Sequence, residues 1–132
     1  MTDDLPETIK RPDTFNRAAP AGYDGVFDWT WTQGCFGDTK IKPMDVDAIV
    51  ERKGQFLVFE TKNIGVPIPA GQMFTLEALH RLDVFTILII YGKLYPETCD
   101  IWYPKCSKVG KLEGTEAAHE FVCKWFAWAD NR

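Results

Sequence analysis

The stretch Pro43-Met44-Asp45-Val46-Asp47-Ala48-Ile49-Val50-Glu51-Arg52-Lys53-Gly54-Gln55-Phe56-Leu57-Val58-Phe59-Glu60-Thr61-Lys62 decides how this chain reads. Two runs rich in β-branched and aromatic residues, Asp45–Arg52 and Gln55–Lys62, flank a Lys-Gly pair suited to a hairpin turn. A two-residue turn sets Arg52 opposite Gln55, Asp47 opposite Glu60 and Asp45 opposite Lys62. A four-residue loop centred on the same bond keeps that register, and a three-residue loop destroys it. Side chains alternate along a strand, so Asp45, Asp47, Glu60 and Lys62 share one face at the open end, followed by Ile49, Val58 and Phe56. The other face carries Val46, Ala48, Val50, Leu57 and Phe59. Both faces are apolar, which places the hairpin inside a sheet.

Outward from the hairpin, Met73, Leu76, Leu79 and Leu82 give helical spacing over Ala70–Leu82. Phe85–Tyr91 is an unbroken apolar run, suited to a strand buried on both faces. Asp100–Tyr103 reads as a short edge strand. Thr115 is expected to cap a last helix whose apolar face is Phe121, Val122, Trp125, Phe126 and Ala129. On the amino-terminal side, Gly34–Pro43 reads as a loop. Phe27, Trp29 and Trp31 alternate with Asp28, Thr30 and Thr32, predicting a strand over Val26–Thr32 with the aromatics in the core. Pro6, Pro12 and Pro20 punctuate residues 1–25, an extended arm with one helical turn near Asp13–Ala19. The expected architecture is α/β: an arm over 1–25, then a single domain over 26–132, a mixed central sheet flanked by helices.

The 132 residues suffice for one compact domain. Apolar residues at 45% and charged residues at 26% are a globular balance. A net charge of −4 excludes a uniformly basic coat, so nucleic acid must be met by a local basic patch or through metal ions. No apolar run approaches the roughly 20 residues that span a bilayer, so no membrane partner is expected. Met1-Thr2-Asp3-Asp4 is no secretory n-region, and the four cysteines read as reduced, cytoplasmic thiols.

The acidic end of the hairpin is the physical oddity. Directly opposed like charges destabilise a sheet by roughly 0.2–1 kcal/mol, and burial makes this worse. Lys62 can neutralise only one of the acids. A divalent cation bridging Asp47 and Glu60 removes the conflict, and hard oxygen ligands suit Mg²⁺ or Mn²⁺. Lys62 would then stand beside a metal-bound water, able to orient or help deprotonate it for attack on a phosphodiester. The bland alternative is a salt-bridge ladder on an exposed hairpin. Asp45 could pair with Lys62, cap the strand start or assist the metal.

Asp47, twelve intervening residues and then Glu60-Thr61-Lys62 resembles the PD-(D/E)XK nuclease signature, and Gly71-Gln72 resembles the further Gln of several of its families. The pattern is similar to that of Holliday-junction resolvases and virus-type replication-repair nucleases, over roughly Val26–Tyr91. Val46, not proline, precedes Asp47. The resemblance implies a restriction-endonuclease-like core, with Asp47, Glu60 and the Thr61 carbonyl on the metal. It implies that Lys62 serves the attacking water and that Gln72 positions substrate or water, although Gln72 also suits a plain first-turn polar residue. An amino-terminal acidic ligand has three candidates, Glu7, Asp24 and Asp28.

The expected function is a Mg²⁺- or Mn²⁺-dependent endonuclease acting on DNA in replication, recombination or repair, structure-directed or working within a larger assembly. A homodimer would use the aromatic C-terminal helix, and a viral role would place the protein in the host cytoplasm. Lys105, Lys108 and Lys111 are the expected DNA-facing charges, read as one loop. The alternatives are a catalytically silent binding module on the same scaffold and an interaction domain with a structural zinc. For zinc, His119 and Cys123 stand at i, i+4, but Cys99 and Cys106 lack structural-site spacing, and buried unligated thiols are favoured.

Overall fold

A computed structural model describes Pro6, Thr8, Ile9 and residues 28–132. The rest of the expected arm, with its helical turn near Asp13–Ala19, and the first residues of the expected Val26–Thr32 strand lie outside the described residues. Asp45–Arg132 forms one compact unit, and the described part of Glu7–Met44 belongs to another.

The larger unit is an α/β domain. Its elements are β1 (Ala48–Arg52), β2 (Gln55–Lys62), α1 (Ala70–His80), β3 (Phe85–Tyr91), β4 (Thr98–Trp102), β5 (Val109–Glu113) and α2 (Thr115–Asp130). The five strands form one sheet in chain order, parallel between β2 and β3 and antiparallel elsewhere. The hairpin register is the expected one, from Ala48 opposite Phe59 to Arg52 opposite Gln55. Lys53 and Gly54 both have positive φ, 50° and 80°, the signature of a two-residue turn that matches strand twist. The parallel β2–β3 pair requires a crossover, which α1 provides.

Leu57, Leu88, Cys99 and Ile101 project from one face of the sheet onto Ala118, Trp125 and Ala129 of α2, all buried. Each fully buried leucine or isoleucine there contributes roughly 1.5–3 kcal/mol. By strand alternation Val58, Ile87 and Ile89 point to the opposite face, where they too are buried. The crossover helix α1 lies against β3, and its Leu76 is fully buried.

Four expectations need correction. The hairpin is not interior on both sides: β1 is an edge strand, with Ile49 and Val50 exposed. A further strand, β5, lies outside β4, which is therefore not the edge. Gly114, with φ of 91°, occupies the N-cap of α2, while the Thr115 hydroxyl donates to the Pro96 carbonyl at 2.9 Å. Phe126 is exposed on α2, its ring under the Arg52 guanidinium at 5.5 Å.

In the second unit, residues 30–32 form a 3₁₀ turn, Thr30–Thr32, instead of the expected strand. The Asp28 carboxylate accepts from the Thr30 amide at 2.9 Å, and the Thr32 hydroxyl donates to the Trp29 carbonyl at 2.8 Å. These local bonds curl the backbone and override the alternating pattern. Trp29 and Trp31 are 48% and 69% exposed, not core. Among the described residues no helix is long and apolar enough to cross a membrane.

Candidate active site

The site begins where β1 stops. Asp47 immediately precedes the strand, so Thr61 of β2 has no β1 backbone partner. Asp47 Oδ2 takes that place, accepting from the Thr61 amide at 2.8 Å and the Thr61 hydroxyl at 3.0 Å. The acid thus finishes the ladder with its side chain. On the other side of β2 the Lys62 carbonyl accepts from the Gly92 amide at 3.0 Å. Backbone groups alternate along a strand, so the Thr61 carbonyl points with its amide towards Asp47.

Glu60 is 2% exposed. Its Oε2 is buried without a hydrogen-bond partner, and its Oε1 lies 3.5 Å from Lys62 Nζ. Loss of water raises the Glu60 carboxyl above the ordinary carboxylate range, and the Asp47 charge adds to that; Lys62 opposes both. The Asp47 charge is felt at Glu60, but Asp47 itself bonds Thr61, and the β1–β2 pairing stops one residue short of an Asp47–Glu60 pair.

The oxygens that could meet a divalent cation here are few. The orphaned Glu60 Oε2, the Asp47 carboxylate and the Thr61 carbonyl are three hard oxygens on one side of β2. No group of three His, Cys, Asp or Glu side chains able to hold a metal occurs among the described residues. The zinc alternative gains no cluster: Cys123 Sγ approaches His119 at 3.9 Å, while Cys99 is buried and Cys106 leans on the Lys108 carbonyl at 3.8 Å.

The other expected residues are more dispersed. Gln72 sits in the first turn of α1, entered from the carboxyl end of β2, and its Oε1 is buried without a partner. Asp45 lies before β1, and the ion pair of Lys62 is with Glu60, not with Asp45. Asp28 caps its own 3₁₀ turn, and that amide bond lowers its carboxyl; Glu7 and Asp24 lie outside the described residues. The three lysines do not share a loop. Lys105 and Lys108 lie exposed between β4 and β5, whereas Lys111 is within β5 and pairs with Asp100 at 2.6 Å.

Sequence reasoning missed two neighbours of the site. Cross-strand register places Glu60, Ile89, Asp100 and Lys111 in one row, and Lys62, Tyr91, Thr98 and Glu113 in the next. Tyr91 and Asp100 therefore share the face of Glu60 and Lys62. A cavity of about 480 Å³ is lined by Tyr91, Asp100 and Lys111, and another of about 510 Å³ by Thr61, Lys62 and Gly92 at the carboxyl ends of the parallel strands. The signal lay in pairing β2 with β3 and β3 with β4, which no local motif announces. No protein-family model, curated protein or solved structure matches this chain. What the fold defines is an α/β domain with a mixed sheet.

Proposed function

We propose that this protein is a divalent-metal-dependent phosphodiesterase that cuts DNA, with a site of the PD-(D/E)XK type. The observation that carries the reading is the buried, unpartnered Glu60 Oε2 beside Asp47, with Lys62 Nζ 3.5 Å from the other oxygen. Asp47, Glu60 and the Thr61 carbonyl would hold Mg²⁺ or Mn²⁺. Such an ion supplies charge neutralisation at the phosphoryl oxygen and a more acidic bound water. Lys62, held 3.5 Å from Glu60, would orient the attacking water. Gln72 positions the water or the strand, and the exposed Lys105 and Lys108 attract the phosphate backbone. The small domain suits branched DNA or a larger repair assembly in the cytoplasm, with α2 available for a second copy.

Cleavage of linear and branched DNA by wild type, Glu60→Ala and Lys62→Ala, with Mg²⁺, Mn²⁺ or EDTA, tests the proposal. The expected result is metal-dependent cutting, reduced at least about 100-fold by either substitution while DNA binding persists. Cutting unaffected by both substitutions refutes it. A second reading, a silent binding module, is favoured by one observation: Asp47 Oδ2 already has two donors. Binding without cleavage by wild type selects it.

A further inference from the structure

The proposed phosphodiesterase site leaves one built cavity unused. Within the second unit, an open hollow of about 400 Å³ is lined, among the described residues, by residues between 29 and 43. Its lining includes the rings of Trp29 and Phe36, the amide of Gln33 and the ammonium-bearing side chains Lys40 and Lys42. No carboxylate is among its described lining residues. The walls are tied by their own bonds: Gln33 N donates to the Thr30 carbonyl at 3.0 Å, and the Thr39 hydroxyl donates to the Phe36 carbonyl at 2.7 Å. That hydroxyl also accepts from the Ile41 amide at 3.2 Å, fixing the approach to Lys42. Gly34 and Gly37, both at positive φ, let the backbone turn on either side of Phe36.

Aromatic faces, one amide and two positive charges select an anionic ligand with a flat ring. We infer that this hollow binds a nucleotide of an unpaired nucleic-acid strand, the base against Phe36 and the phosphate against Lys40 and Lys42. A strand suits the surface better than a free nucleotide. Trp31 lies outside the cavity lining, 69% exposed, with its ring 6.1 Å from that of Trp29. It offers a platform to the next base. This inference goes beyond the cutting chemistry and does not require it.

The test is fluorescence anisotropy of a labelled oligothymidylate with the full chain in EDTA, where metal-dependent hydrolysis is off. Wild type should bind and lose affinity steeply with salt. Phe36→Ala, Trp31→Ala and the double variant Lys40→Ala/Lys42→Ala should each weaken binding about tenfold. Circular dichroism melting confirms that each variant is folded, and a tenfold loss in folded protein supports the site. Undiminished binding by folded Phe36→Ala and the double lysine variant overturns it, as does no binding by wild type. Thymidine monophosphate that binds as tightly as the oligomer overturns the strand assignment. Loss of cleavage with binding intact bears on the metal site alone, so the two failures are separable.

Discussion

Glu60→Gln should stabilise the metal-free protein at neutral and mildly alkaline pH, which is unusual for a change at a fully buried position. In the native chain a buried carboxylate faces a second carboxylate, and a repulsion of this kind is worth roughly 0.2–1 kcal/mol. The side chains are close enough for a protonated Glu60 to donate to Asp47, so a glutamine amide can donate there too. A hydrogen bond to a charged acceptor contributes about 1.5–3 kcal/mol. Against this stands the weakened hold on Lys62. The net gain should be about 1–2 kcal/mol at pH 8. The pH dependence has a definite sign. Glu60 titrates above its unfolded value of 4.5, so the folded chain binds the proton more tightly. Wild-type stability from this group is complete below about pH 4.5 and is lost as pH rises through the folded value. The advantage of glutamine is therefore absent at pH 4 and grows as pH rises through the folded value. Urea unfolding followed by tryptophan fluorescence at both pH values measures it. Added Mg²⁺ should stabilise wild type through mass action and move the variant less. A glutamine variant less stable than wild type at pH 8 without metal, or a gap unchanged at pH 4, refutes the reasoning.

Three further outcomes follow from the packing. Leu57→Ala, at a fully buried position between β2 and α2, should cost about 2–5 kcal/mol in urea unfolding with the slope unchanged. Arg52→Ala removes an ion pair to Asp130 and a ring contact with Phe126, both partly exposed, and should cost about 1 kcal/mol, part of it lost in high salt. Burial pushes the Cys99 thiol up to about 11, so alkylation at pH 8 should label the exposed Cys35 and Cys123 within minutes and spare Cys99 until urea is added.

The hairpin was legible because two independent signals agree there: an alternating pattern and a Lys-Gly turn that fixes the register. β3 was legible because an uninterrupted run from Phe85 to Tyr91 suits the only kind of strand covered on both sides. The edge position of β1 was not, since Ile49 and Val50 are apolar yet exposed, and composition reports preference, not burial. β5 escaped because Gly110 interrupts a short run with lysine and glutamate. Its missing side chain is explained only by contact: a Cβ there would meet the Tyr103 ring at 3.0 Å and Ile101 at 3.4 Å. At Trp29 and Trp31 a period-two pattern lost to an aspartate cap on the following turn. Of the site, the nearness of the two acids was readable from spacing, while the bond from Thr61 to Asp47 depends on where β1 ends, which pattern does not set.

That bond gives the two acids unequal fates. Asp47 has a tenured post in the architecture, because Thr61 would lose both of its acceptors without it. A descendant that had given up its chemistry would still be held to aspartate or asparagine at 47. Glu60 brings the fold only a burden and would be free to drift to glutamine or leucine. On the proposed function, the glutamate, not the aspartate, is the position at which a working copy can be told from a relic.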